Sequence, residues 1–172
     1  MTIRYAVVVF PETDAADRVE QVRRRFDPLA SVIDAHITLV FPFEDTLSSR
    51  ELHDHVATAL GGVAPFAITL DAPTPADEGY LFLRVRDGRD QLTELHRRLY
   101  SGRLRRHLST THRFEPHVTI GRLPRPELVG AAADEARASL AAPLLGRIRS
   151  VAVFRLADSQ SAVDSVLSLV ES

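Results

Sequence analysis

The sequence has no cysteine, no tryptophan, no lysine and no asparagine, and one methionine among its 172 residues. Without cysteine there can be no disulfide, no thiol nucleophile and no cysteine-ligated zinc or iron–sulfur cluster. Without lysine, all 21 basic residues are arginine, so any cation that meets a phosphate must be arginine or protonated histidine. Lysine and asparagine codons are AT-rich, and a GC-rich genome accounts for losing both. No apolar run approaches the roughly 20 residues of a membrane-spanning helix, Tyr5–Phe10 being among the longest. The N-terminus lacks a basic segment followed by an apolar stretch, the mark of a secretory signal peptide. A net charge of −2 gives no global attraction to nucleic acid. These absences together imply a soluble, cytoplasmic protein with no membrane partner, a monomer by default.

Hydrophobic residues make up 45% of the chain and charged residues 26%, enough apolar material for a packed core. The elements read in two halves with the same order. In the first, Tyr5–Phe10 is a β-branched strand closed by Pro11, and Asp14–Phe26 carries Ala15, Val19, Val22 and Phe26 at helical spacing. Ile37–Phe43 is a second strand. Ser48 and Glu51 form a capping box for a helix that ends at Gly61-Gly62, and Ala64–Leu70 is a third strand. After a linker, Asp71–Gly79, the order recurs: strand Tyr80–Arg86, a helix capped by Asp87 with Leu92, Leu95 and Leu99 on one face, strand His117–Leu123, and an alanine-rich helix from Pro126 to Leu140. Arg147–Leu156 is a long strand and Ser165–Val170 a short last one. This pattern predicts an α+β fold, one bilobal domain over 1–172 with halves of about 1–71 and 80–172. The expected lobes are pseudo-symmetric, each a small, mostly antiparallel sheet flanked by helices, facing one another across a central cleft.

One short motif occurs twice. His36-Ile37-Thr38-Leu39 and His117-Val118-Thr119-Ile120 both read histidine, β-branched, threonine, aliphatic, and they occupy equivalent places 81 residues apart. Side chains two apart on a strand share a face. His36 and Thr38 therefore point one way while Ile37, Leu39 and Phe41 point into a core, and His117 and Thr119 do the same. A pseudo-twofold axis would gather two imidazoles and two hydroxyls around one point. Such a set suits phosphodiester chemistry: a neutral imidazole takes a proton, a protonated one gives it to the leaving oxygen, and hydroxyls bond the phosphate oxygens. The bland alternative is a pair of buried histidines bonded to threonines for packing; the duplication at matching places argues against it.

The paired motifs resemble those of the 2H phosphoesterase superfamily, which includes bacterial 2′-5′ RNA ligase-like proteins and cyclic phosphodiesterases. The surroundings, Phe10-Pro11, Phe26-Asp27-Pro28 and the run from Phe114 to Arg122, are similar to a bacterial phosphoesterase branch of it, and the resemblance spans essentially the whole chain. It implies a bilobal α+β fold, metal-independent catalysis without a cofactor, His36 and His117 as acid and base, and Thr38 and Thr119 as phosphate binders. Relatives also often carry a cation where Arg122 stands. Strand parity places Arg122 on the face opposite Thr119 unless Gly121 introduces a bulge. On Tyr80–Arg86, one face bears Tyr80, Phe82, Arg84 and Arg86, a mixture suited to a stacked base with its phosphate nearby. The plainer reading of that face is an edge strand with snorkelling arginines.

Other candidates have simpler readings. Arg97–Arg113 holds six arginines and no acid, so it either overhangs the site and attracts RNA or forms an exposed helix end and loop. Arg23-Arg24-Arg25 reads as surface that complements the helix dipole. His53 and His55, two apart on a helix, diverge by about 200°, cannot share a metal and read as solvated. His96, His107 and His112 read as surface.

The function expected is hydrolysis of a 2′,3′-cyclic phosphate or a 2′-5′-linked diester on a nucleotide or RNA end, by acid–base catalysis between two histidines. A small cyclic phosphate of an ADP-ribose type is a further substrate possibility, decided by pocket size. The alternative from another class is a catalytically quiet RNA- or nucleotide-binding module using the same cleft. Two proton-transfer groups are more than binding requires. A metal-dependent hydrolase has least support, since neither a metal-binding His pair nor a carboxylate-rich strand end is present.

Overall fold

In the computed structural model, which describes residues 2–157 and 160–171, the strand-period and helix-period segments alternate along the chain. They are β1 (Ile3–Val9), β2 (Glu12–Thr13), α1 (Ala16–Phe26), β3 (Ile37–Asp45), α2 (Ser49–Ala59), β4 (Phe66–Leu70), β5 (Thr74–Pro75), β6 (Tyr80–Arg84), α3 (Arg89–Leu99), β7 (His117–Arg122), α4 (Val129–Ser139), β8 (Leu144–Ile148), β9 (Ser150–Leu156) and β10 (Ala162–Ser168). Short 3₁₀ turns cover Asp77–Gly79, Gly102–His107 and Pro126–Leu128. The fold is α+β, with two antiparallel sheets and flanking helices. No helix among the described residues is long and apolar enough to cross a membrane.

The local signals that start each helix explain where it lies. The capping box of α2 is formed: the Glu51 amide donates to Ser48 Oγ at 3.3 Å and the Ser48 amide to Glu51 Oε2 at 2.9 Å. Asp87 does not cap α3. That place belongs to Gly88, at φ +83°, where a Cβ would come within 2.6 Å of Ile68 Cγ2. Tight packing on β4 thus requires a glycine and displaces the predicted acidic cap by one residue. The predicted strand Arg147–Leu156 is broken at Arg149, so that β8 and β9 lie in different sheets.

The two halves join differently from the expectation of two facing sheets. One seven-stranded sheet, in the order β10-β9-β1-β3-β7-β6-β5, contains both motif strands side by side, and a three-stranded sheet, β2-β8-β4, accompanies it. β9 and β10, from the second half, add to β1 of the first. Sequence halves and structural units therefore do not coincide: a long-range pairing overrides the order along the chain. Tyr5, Val7, Val9, Ile37, Leu39, Val118 and Ile120 are all buried to within 1% on one face of the large sheet, in one core with Val19, Val22, Leu92, Leu95 and Leu99 of the helices. α1 packs along β7 and α3 along β3. The opposite face bears a smaller apolar cluster, Ala6, Val8 and Ala152 with Phe10 and Ile33, and beside it the motif polar residues.

Candidate active site

The two motif strands meet through a single residue pair, Ile37 opposite Val118, in antiparallel register. Continuing that register by one residue each way sets His36 opposite Thr119 and Thr38 opposite His117. Directly opposed residues on antiparallel strands share a face. Since Ile37 and Val118 are buried, the four polar side chains project together from the other side. The Ile37–Val118 pair is thus the local pseudo-twofold centre, and each histidine of one half sits across from the threonine of the other.

The fourth, aliphatic residue of the motif has a structural reason. Val8 pairs with Thr38 but Val7 with Val40, so Leu39 is an extra residue. Phe82 pairs with Thr119 but Leu81 with Gly121, so Ile120 is extra in the same way. Both strands therefore bulge immediately after the threonine, and two successive residues turn to the core: Leu39 and Val40 in one, Ile120 and Gly121 in the other. Gly121 leaves little room there: a Cβ would come within 3.0 Å of Phe26 Cβ and 3.2 Å of Leu81 Cβ. After each bulge the alternation is reset. Arg122, opposite Tyr80, joins the face of Thr119, and Phe41, 46% exposed, joins the face of Thr38. The two halves differ at this position: an arginine in one, an aromatic ring in the other.

Each histidine is held by the same device. His36 Nδ1 bonds the carbonyl of Asp34 at 2.8 Å, and His117 Nδ1 bonds the carbonyl of Glu115 at 2.7 Å. A carbonyl accepts, so both Nδ1 atoms carry a proton and the Nε2 atoms are left to exchange protons with a ligand. Burial pushes the His36 imidazole below its ordinary value near 6.5, opposed by the bond to Asp34 and aided by the cation of Arg23; a charged His117 also disfavours charge on His36. Burial lowers His117 too, opposed by the Glu115 carbonyl and aided by Arg84. Neither threonine hydroxyl makes a hydrogen bond among the described residues, so both are available to an anion.

Around His117 the side chains form a continuous stack. Its ring lies 3.8 Å from that of Phe82, Phe82 is 5.5 Å from Tyr80, and the Arg122 guanidinium lies 5.1 Å over the Tyr80 ring. Arg84, opposite His117, is paired with Glu115 at 2.6 Å. Tyr80, Phe82, Arg84 and Arg122 thus all lie on the face of the motif residues, with Phe82 engaged by His117 and Arg84 by a carboxylate. Around His36 the setting is more apolar, with the Phe10 ring edge-on at 6.3 Å. Among the described residues, no three His, Asp or Glu side chains gather in a group that could hold a metal ion.

Four readings from sequence need correction. Arg23 is not surface: it is 1% exposed, bonded to Asp27, Glu20 and the carbonyl of Ile33. With Glu20 accepting from the Ala35 amide and Asp27 from that of Leu29, it hangs the segment leading to His36 on α1. His55 bonds the Leu99 carbonyl, His96 the Leu39 carbonyl, and His107 the buried Asp45. Within 97–113, Arg97 and Arg98 pair with Glu94, and Arg103 and Arg106 with Asp45. The acids lie outside the basic run, where a local charge count cannot see them. Phe41, expected in the core, is 46% exposed because the extra residue at Leu39 resets the alternation; the carbonyls of Asp34 and Glu115 were missed, and an acid two residues before each histidine was the available repeat.

The sequence pattern of the 2′-5′ RNA ligase superfamily matches residues 11–160. A provisionally named phosphoesterase of Halalkalibacterium halodurans is 33% identical over 125 residues, covering 69% of this chain and 70% of that one. Another, of Geobacillus kaustophilus, is 31% identical over 132 residues, with 73% of each covered. Among solved structures, LigT of Escherichia coli complexed with 3′-AMP superposes with a TM-score of 0.69 at 17% identity, covering 99% of this chain and all of that one. The same protein complexed with ATP gives 0.64. At that identity the likeness establishes the fold.

Proposed function

The chain belongs to the 2′-5′ RNA ligase superfamily of 2H phosphoesterases, and from that premise we propose that it hydrolyses a 2′,3′-cyclic phosphate or 2′-5′-linked diester of a nucleotide or RNA end, by proton transfer between His36 and His117. The observation that carries this reading is the crossed arrangement around Ile37 and Val118, with each Nδ1 anchored on a backbone carbonyl. One neutral Nε2 takes a proton from water as its oxygen attacks phosphorus. The other imidazole, protonated, gives its Nε2 proton to the departing ribose oxygen. The P–O bond to that oxygen breaks, a phosphomonoester forms, and the two histidines exchange protonation states, which solvent restores. Thr38 and Thr119 donate to the equatorial oxygens as charge builds on them. Arg122 adds a cation at one end of the row, and the exposed ring of Phe41 and the half-buried ring of Tyr80 offer surfaces to a base. The nucleotides that LigT binds in its solved structures agree with a ligand of this class. One domain acting as a monomer in the cytoplasm suffices for the reaction.

The test is hydrolysis of the four nucleoside 2′,3′-cyclic monophosphates, a 2′-5′-linked dinucleotide and a cyclic-phosphate-ended RNA, all in EDTA. Turnover of any of them, unaffected by the chelator, supports the proposal. Tight binding of these compounds without turnover favours the quiet binding module instead.

A further inference from the structure

The bulge that carries Thr38 and Phe41 onto the site face is held by two side chains of α3. His96 and Tyr100 are one turn apart and project from the same side of that helix. His96 Nδ1 donates to the carbonyl of Leu39 at 2.7 Å, and Tyr100 Oη accepts from the amide of Phe41 at 3.1 Å. The two bonds bracket Val40, on the C-terminal side of the extra residue. An extra residue stands outside the ladder, so β1 alone does not determine the pitch of the chain there. The His96 ring is itself fixed: it lies parallel to Phe114 at 3.9 Å and 9°, and edge-on to Tyr100 at 4.8 Å. Phe114 opens the short approach, through Pro116, to His117. One imidazole thus joins the residue after Thr38 to the segment that delivers His117.

We infer that His96 and Tyr100 are positioning residues of the site, which set Thr38 against His117 without touching the substrate. The inference rests on the reading of Thr38 as a phosphate binder. The second bulge is seated otherwise, with Gly121 pressed on Phe26 and Leu81, so the effect belongs to the Thr38 side. A side chain that acts through Thr38 loses its influence when the Thr38 hydroxyl is gone, whereas one that merely supports the fold does not.

The experiment measures kcat and KM on adenosine 2′,3′-cyclic monophosphate for His96→Ala, His96→Asn and Tyr100→Phe, each with Thr38 intact and with Thr38→Val. His96→Ala should lower kcat about tenfold or more with little change in KM. His96→Asn, whose amide can donate from the same place as Nδ1, should recover most of it. In the Thr38→Val background, His96→Ala should cost less than about twofold. Equal losses in both backgrounds, or an Asn variant no better than Ala, overturn the inference. If the parent does not turn over this compound, the clamp is judged by NMR. Tyr100→Phe, which removes one oxygen, and His96→Ala must then shift the Thr38 amide resonance and speed hydrogen exchange at Phe41 while Val22 stays protected. An unmoved Thr38 resonance refutes the clamp.

Discussion

Replacing Arg23 by methionine isolates the buried ion network under the first motif. The arginine makes four side-chain hydrogen bonds: one to Asp27, two to Glu20 and one to the Ile33 carbonyl. Its own side chain is 1% exposed, that of Asp27 4% and that of Glu20 21%. Methionine fills much of the volume but strands Asp27 away from water, and breaking a buried pair in this way costs about 3–5 kcal/mol. Glu20 is partly wetted, so water recovers part of its share and keeps the total near that range rather than at the sum of four bonds. The loss should lower Cm in urea denaturation followed by circular dichroism, with an unchanged m-value. It should lower Tm by about 6–20 °C, at roughly 2–4 °C per kcal/mol for a chain of this length. Adding Asp27→Asn and Glu20→Gln to Arg23→Met should return about half the stability, because the stranded charges are then removed. A single variant within about 1 kcal/mol of the parent would refute the network as the anchor of the segment entering His36.

Other outcomes follow from the same geometry. Catalysis needs one histidine neutral and one protonated, and both are held below about 6.5, so the bell-shaped profile of kcat/KM should peak below pH 6.5; a maximum above about pH 7.5 contradicts the burial argument. Gly121→Ala should destabilise by about 1–3 kcal/mol through overpacking on Phe26 and Leu81, and should lower activity by moving Arg122; a neutral effect in thermal denaturation would show that the contact yields freely. Burial pushes the Asp45 carboxyl up, but hydrogen bonds from His107, Arg106, Thr46 and Arg103 outweigh it and hold the group well below the usual carboxylate range. Its folded value being depressed, its contribution is present above about pH 4 and lost on acidification. Asp45→Asn should therefore cost stability at pH 7 and much less near pH 2, and equal cost at both would sink that assignment.

Much of this architecture is legible because it rests on local patterns. The capping box at Ser48, the β-branched run of β1 and the twofold His-x-Thr repeat all act within a few residues. The crossing of β9 and β10 onto β1 is not legible, since nothing in their own sequence says which edge they will join. The face of Arg122 was decided by a single extra residue in the ladder, a matter of packing between Gly121 and Phe26 that periodicity does not carry. Histidines 55, 96 and 107 looked alike in sequence because their partners are 44, 57 and 62 residues distant. The buried role of Arg23 was hidden for the opposite reason: an arginine-rich helix end is nearly always surface, and here Glu20 on the same helix and Asp27 just past its end neutralise it.

The most direct test of the two-histidine account is a comparison of kcat on the best cyclic-phosphate substrate, in EDTA, among the parent, His36→Ala, His117→Ala and the double variant. Each single change should lower kcat by about 10² or more. The double change should cost little beyond either single one, because the pair acts as a unit. Circular dichroism and melting should stay close to the parent, since both imidazoles lie on the open face of the sheet. Wild-type turnover in either single variant would contradict the central claim and remove that histidine from the mechanism.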